Sequence, residues 1–133
     1  MKKIALEGPI NKCSDNECID WRKEVINKLG DRYTFHNPMD FDCRGKEGDL
    51  EQQLIDLDIN GISSSDIILV MANKPGWGTA MGVQMAWDRC KHIVTVCPDE
   101  KPSPWLKNRS TIMFKTLDEA IKYLNYKELF VEG

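Results

Sequence analysis

Residues 66–88 read DIILVMANKPGWGTAMGVQMAWD, and the other elements of the chain can be arranged around them. The apolar run from Ile67 to Met71 predicts a strand that is buried on both faces of its sheet. Pro75 and two neighbouring glycines interrupt the strand, and a helical pattern begins at Thr79. This order predicts a ligand site at the loop, because free backbone N–H groups and the positive end of a helix dipole meet there.

Strand and helix patterns alternate over the rest of the chain and are separated by turn residues. Such alternation is typical of β–α–β units with a parallel sheet. The sequence therefore predicts one domain over residues 1–133, a three-layer α/β/α fold of the flavodoxin-like or Rossmann-like kind with a five-stranded parallel sheet. The other predicted strands are residues 3–6, 33–36, 92–97 and 112–115, the helices are residues 18–29, 49–63, 79–89 and 117–124, and residues 98–109 are predicted as an irregular loop.

The composition is that of an ordinary globular protein, with 133 residues, a net charge of −3 and 41% apolar residues. Scattered Lys and Arg residues do not favour a nucleic-acid partner. No apolar run approaches the roughly 18 residues of a membrane span, and the amino-terminal MKKIALEGPI has too short an apolar core for a secretion signal. We therefore expect a cytoplasmic protein with no membrane partner.

Cysteine and histidine positions do not suggest a metal site. The five cysteines are an odd number and include no CxxC pair. Cys13 and Cys18 lack histidines at zinc-ligand spacing, so reduced thiols are expected instead of disulfides or zinc. His36 and His92 follow or begin predicted strands without an evident catalytic partner and are interpreted as structural. The sequence predicts neither a metal ion nor another cofactor.

Short motifs with a specific order extend along nearly the whole chain. They are Gly8-Pro9, Trp21-Arg22, Asn37-Pro38-Met39-Asp40, Asp58 ahead of Ile62 and Ser65-Asp66, Gly78-Thr79-Ala80-Met81, and Ser103-Pro104-Trp105-Leu106. Through them the chain resembles the nucleoside 2-deoxyribosyltransferase family and its N-glycosidase relatives that act on deoxynucleoside monophosphates. The resemblance implies a small-molecule nucleoside or nucleotide ligand and a homo-oligomer whose neighbouring subunits complete each pocket. The apolar segment Leu129-Phe130-Val131 is expected to serve that assembly.

The resemblance also implies where chemistry would occur. In the family a carboxylate traps the carbocation-like sugar and an Asp contacts the leaving base, and Asp58 matches that Asp. The family's nucleophilic Glu directly follows the motif matched by residues 78–81, and that position is Gly82 in this chain. The missing carboxylate would remove turnover and make room for a bulkier or more anionic ligand. Close helix packing at Gly82, or an engineered substitution, are the alternatives.

Several residues are candidates for ligand contact. Arg22 and Arg44 offer guanidinium groups to a phosphate, although Arg22 could form a surface ion pair and Arg44 could pair with neighbouring aspartates. Trp77 could stack on a base or pack in the core. The full set of predicted ligand contacts is Gly8, Pro9, Arg22, Asp40, Arg44, Asp58, Trp77, Gly78, Thr79, Met81 and Gly82.

Three functions are compatible with the sequence. The first is a nucleoside- or nucleotide-binding protein that senses or sequesters its ligand without efficient glycosyl transfer, as Gly82 implies. The second is an active deoxyribosyltransferase or nucleotide N-glycosidase that uses another carboxylate, Asp58 or Asp88. The third is an interaction module without a nucleotide ligand.

Overall fold

The computed structural model describes residues 1–126, and its sheet has five parallel strands in the order β2-β1-β3-β4-β5. Strand β3 lies at the centre between β1 and β4, and Ile4 of β1 is opposite both Phe35 of β2 and Ile67 of β3. All residues of β3 are buried, as its continuous apolar run predicts. The predicted five-stranded parallel sheet is therefore confirmed. The strands are β1 (Lys2–Glu7), β2 (Tyr33–His36), β3 (Ile67–Met71), β4 (His92–Val96) and β5 (Ile112–Phe114).

Helices cover both faces of the sheet and enclose two apolar clusters. Ile4 and Leu6 of β1 pack on one face with residues of α1 and α5, and Ala5 packs on the other face with residues of α2 and α3. This alternation follows from the two-residue period of a strand, and it places Glu7 on the same face as Ala5. The helices are α1 (Trp21–Leu29), α2 (Glu51–Ser64), α3 (Trp77–Asp88), α4 (Pro104–Arg109) and α5 (Leu117–Leu124).

Two local features differ from the sequence-based prediction. Residues 98–109 were predicted as an irregular loop, but α4 occupies Pro104–Arg109. Its proline lies in the first turn, where the missing N–H costs nothing, and its six residues are too few to show a helical period. A π-helical turn at Asn16–Asp20 also precedes α1, where a continuous helix from Cys18 was predicted.

Three further expectations concern membrane helices, disulfides and an oligomer contact. Within residues 1–126, every helix is too short or too polar to cross a bilayer. All five cysteines are free thiols in the structure. The segment Leu129-Phe130-Val131, which was expected to serve an oligomer, lies outside the described residues.

Candidate functional site

A cavity of about 450 Å³ opens at the carboxyl ends of β1 and β3, and we call it the Glu7 cavity. Loops at residues 8–12, 38–47 and 75–79 form its walls together with one side of α2. Ligands of open parallel sheets bind at this edge, because strands end there and the following helices begin. Trp77 stands at the rim with 87% of its surface exposed.

Glu7 lies at the floor of this cavity and is the central acidic group of the site. It is the last residue of β1, and only 4% of its surface is exposed. Its carboxyl group is hydrogen-bonded to that of Asp58, which projects from α2. Burial and the neighbouring Asp58 charge raise the pKa of Glu7 well above its ordinary value, and the Arg22 guanidinium opposes this shift. Glu7 therefore keeps its proton to higher pH than an exposed glutamate would.

Gly82 of α3 lies directly behind the Glu7 carboxylate. A Cβ atom at position 82 would lie 2.9 Å from Oε1 of Glu7 and 3.3 Å from Cδ1 of Ile62. Gly82 is buried and does not itself line the cavity. The missing side chain on α3 thus leaves the space into which Glu7 projects from β1.

Arg22 holds the end of β1 in place from the other side of the sheet. Its guanidinium is fully buried and donates to the carbonyl oxygens of Leu6 (3.3 Å), Cys18 (2.5 Å) and Gly8 (3.1 Å). Burial lowers the pKa of Arg22 to about 10, so the group remains cationic at neutral pH. The structure therefore does not bring Arg22 to the cavity wall, where the predicted phosphate contact would require it.

His36 completes the acidic cluster from strand β2. Its Nε2 lies 3.2 Å from Oδ1 of Asp58, and its ring packs against α2 at Gly61. A Cβ atom at position 61 would lie 2.3 Å from that ring, so only glycine permits this packing. His36 was interpreted as structural, but its ring nitrogen contacts a carboxylate of the candidate site.

One ligand atom from each of Glu7, His36 and Asp58 lies within 4.8 Å of the other two. Two carboxylate oxygens and an imidazole nitrogen are suitable ligands for a divalent cation. The sequence-based expectation that no metal ion binds did not take these three residues together into account. The same three side chains can also hold a proton between them without an ion.

Arg44 reaches the cavity from the loop between β2 and α2. It forms ion pairs with Asp15 (2.6 Å) and Asp42 (2.8 Å), and these raise its pKa above the ordinary value. Pairing of Arg44 with a neighbouring aspartate was the predicted alternative. Within residues 1–126, Asp42 forms this ion pair and Asp40 does not. A ligand phosphate would have to compete with both carboxylates.

The structure brings together most, but not all, of the predicted ligand contacts. Gly8 has little room for a side chain, because a Cβ atom there would lie 3.0 Å from Trp21 and 3.2 Å from Met71. Those that line the cavity are Gly8, Pro9, Arg44, Asp58, Trp77, Gly78 and Thr79. Those outside its lining are Arg22, Asp40, Met81 and Gly82. Asp88, the other carboxylate considered for catalysis, accepts a hydrogen bond from Gln84 on the exposed side of α3.

Glu7 is the residue that the sequence-based prediction missed. The first strand was predicted to end at residue 6, so Glu7 was left outside it. The sequence did contain a sign of its role. Glu7 lies two residues after Ala5, so it faces the same side of a strand that is buried on both faces, and a buried charge needs a partner.

A second depression of about 640 Å³ lies between α3 and α4, and we call it the α3–α4 groove. Several large apolar side chains on these helices are exposed: Trp77 (87%), Met81 (64%), Trp87 (45%) and Trp105 (75%). The Arg109 guanidinium lies over the rings of Trp87 at 4.7 Å and Trp105 at 6.0 Å. This side of the molecule is therefore apolar and aromatic, unlike the acidic floor of the Glu7 cavity.

No protein-family model and no curated protein sequence matches this chain. Among solved structures, the CMP N-glycosidase of Clostridium botulinum aligns over 94% of this chain and 100% of its own, with a TM-score of 0.64 and 16% identity. The 2-deoxyribosyltransferase of Bacillus psychrosaccharolyticus covers 93% and 91%, with a TM-score of 0.73 and 17% identity. The 2-deoxyribosyltransferase of Leishmania mexicana covers 93% and 97%, with a TM-score of 0.65 and 17% identity. The chain therefore has the α/β fold of a CMP N-glycosidase and of 2-deoxyribosyltransferases.

Proposed function

We propose that this protein binds a nucleoside or nucleotide in the Glu7 cavity and cleaves its N-glycosidic bond. The observation that carries the proposal is the buried carboxyl pair of Glu7 and Asp58 at the ligand-binding edge of the sheet. Glycosyl chemistry uses such pairs, because one carboxyl group stabilises the cationic sugar while the other moves a proton. The likeness in fold to a CMP N-glycosidase and to 2-deoxyribosyltransferases supports a ligand of this class.

The cavity offers a place for each part of such a ligand. The base would stack on Trp77 and accept a proton from Asp58, which lie at the rim and on the α2 wall. The sugar would lie over Glu7, beside the backbone of Gly8. A phosphate would meet the beginning of α3 and Arg44, whose contacts to Asp15 and Asp42 it would replace.

A second candidate function is binding without turnover, in a sensing or sequestering role. Gly82 motivates it, since α3 carries no carboxylate at that position. Both functions require ligand binding, and they differ in whether the bound molecule is recovered intact. We place cleavage first because Glu7 supplies a carboxylate beside Gly82.

The test combines thermal denaturation with detection of released base for a panel of nucleosides and nucleoside monophosphates. A ligand at a hundred times its dissociation constant stabilises the protein by about 2.7 kcal/mol, which raises the melting temperature by several degrees. We expect Asp58→Asn to lower the rate of base release by about 10²–10⁴-fold, the scale of general acid catalysis.

Asp56→Asn is the matched control, because Asp56 is exposed on the same helix and accepts a bond only from Gln52 among residues 1–126. Ligand recovered intact after binding would support the second candidate function. A melting temperature that no member of the panel changes would contradict both functions and favour an interaction module.

We also propose that the protein is a homo-oligomer in which the α3–α4 groove contacts a second copy. Exposed aromatic surface of this kind is typical of interfaces. We expect Trp105→Glu, in the α4 wall of the groove, to weaken self-association about 10²-fold or more, as measured by sedimentation velocity. Leu57→Glu, at an exposed apolar position on α2, is the control. A wild-type protein that sediments as a monomer would contradict this assembly.

The free thiols accord with a cytoplasmic location, which we propose for this protein. Fractionation of the producing cells tests it, and recovery of the native protein from an oxidising compartment would contradict it.

A further inference from the structure

We propose that Glu7 is the nucleophile of this site: its carboxylate enters from β1 through the space left by Gly82 and forms a covalent bond to the anomeric carbon of the ligand. This inference rests on the proposed function, and it assigns the central chemical step to one residue. It would place the reacting carboxylate on a strand of the sheet and leave α3 without one.

The first support is the complementary shape of residues 7 and 82. Oε1 of Glu7 lies 2.9 Å from the place of a Cβ atom at position 82, closer than two unbonded atoms normally approach. A side chain at position 82 would therefore require the Glu7 carboxylate to shift from its present position. Glycine at position 82 is the residue that allows a carboxylate from β1 to reach the floor of the cavity.

The second support is the short separation between the two carboxyl groups. Reactive oxygens of Glu7 and Asp58 lie within 4.8 Å of each other. Enzymes that attack the sugar with a carboxylate hold their pair about 5–5.5 Å apart, whereas those that place a water between the groups hold them about 6.5–9.5 Å apart. The two groups lie closer together here than in either class, so they must part when a sugar enters, and the direct-attack spacing requires the smaller change.

The third support is the set of charged groups that face Glu7. Asp58 faces it from α2, His36 approaches Asp58 from β2, and Arg22 acts on it from α1, while α3 presents only Gly82. Burial and the Asp58 charge raise the pKa of Glu7. Attack requires the carboxylate form of Glu7, which the Arg22 cation favours, with the proton placed on Asp58.

Water is the only reactant that the reaction needs besides the ligand. The Glu7 carboxylate bonds to C1′ of the sugar, the C1′–N bond breaks, and its electron pair stays on the base, which takes the proton of Asp58. Water next attacks C1′ and gives a proton to Asp58, and the ester bond to Glu7 breaks. The products are the free base and a sugar or sugar phosphate with an anomeric hydroxyl, and both carboxyl groups return to their starting state.

The experiment compares wild type, Glu7→Gln and the exchanged double variant Glu7→Gly with Gly82→Glu. We expect Glu7→Gln to lower base release by about 10⁴-fold or more, on the scale of a removed nucleophile. The exchanged variant should recover base release above the Glu7→Gln level. Glu51→Gln, at an exposed position on α2, should leave the rate unchanged.

Two further readouts separate a chemical role from a structural one. Glu7→Gln should keep the wild-type melting temperature or exceed it at pH 7, because it removes a buried ionisable group. Acid quenching of wild type with a slow substrate, followed by peptide mass spectrometry, should locate the glycosyl adduct on Glu7. An adduct on Asp58, or base release that EDTA abolishes, would overturn the inference.

Failure of this inference is distinguishable from failure of the proposed function. If wild type releases base and Glu7→Gln does so at the same rate, the proposed cleavage stands and the role of Glu7 is overturned. If wild type binds nucleotides but releases no base, the cleavage and the role of Glu7 are both overturned. Nucleotide binding then remains as the function.

Discussion

Gly82→Glu is expected to lower the free energy of unfolding by about 3–5 kcal/mol at neutral pH, the scale of an uncompensated buried charge. The new side chain would begin 2.9 Å from Oε1 of Glu7 and 3.3 Å from Cδ1 of Ile62. It would add both steric overlap and a second acidic group beside Glu7. The gain of about 1 kcal/mol from replacing glycine inside a helix is too small to offset this cost. Urea denaturation monitored by circular dichroism measures the change.

Gly78→Glu is the matched control, because Gly78 is exposed near the beginning of the same helix and a Cβ atom there would meet nothing within 4 Å. We expect it to change stability by less than about 1 kcal/mol. Adding Glu7→Gly to Gly82→Glu should restore most of the lost stability, since the carboxylate at position 82 then takes the vacated space. Equal stability of Gly82→Glu and wild type would show that Glu7 does not occupy this space.

Arg22→Met is expected to destabilise the protein by about 3–5 kcal/mol, because removing one partner of a buried charged network leaves the others unpaired. The carbonyl oxygens of Leu6, Gly8 and Cys18 would lose their bonds to the guanidinium. Glu7 would lose the cation that opposes the rise of its pKa. Denaturant unfolding measures the loss, and Arg32→Met is the control, since Arg32 is only partly buried and donates to the carbonyl oxygen of Asn125.

The pH dependence of stability provides a second readout for Arg22→Met. The pKa of Glu7 is raised in the folded protein, so its contribution to stability is full below pH 4.5, the ordinary glutamate value, and is lost as pH rises through the folded-state pKa. Without Arg22 the folded-state pKa rises further, and stability should continue to fall to higher pH than in wild type. Glu7→Gln should lack this dependence. A pH profile of Arg22→Met identical to that of wild type would contradict the electrostatic role of Arg22.

Local patterns of apolar residues in the sequence were sufficient to predict the architecture of the sheet. The buried run of β3 and the alternating strand and helix periods predicted a parallel sheet, because each element type has its own spacing of apolar residues. The short helix α4 was missed, since six residues show no period and its first turn carries a proline. The sequence also predicted a ligand site at the loop after β3, because ligands bind parallel sheets at this edge, and the Glu7 cavity lies beside that loop.

The functions of single side chains were harder to predict. Arg22 follows Trp21 on an amphipathic helix, and the sequence could not distinguish an exposed cation from one buried against strand carbonyls. Arg44 lines the Glu7 cavity, but its bond to Asp15 joins two loops that are remote in sequence. Such contacts depend on how separate elements pack, and no local spacing encodes them.

The amino-acid order alone determined the sheet, the glycine-rich loop after β3 and the absence of a carboxylate at position 82, because all three depend on neighbouring residues. Tertiary packing decided which acid occupies that space. It brought β1, β2, α2 and α3 together so that Glu7, His36 and Asp58 converge where Gly82 leaves room. Strand alternation indicates the face on which Glu7 lies, but only the packing of helices against that face determines which groups it meets.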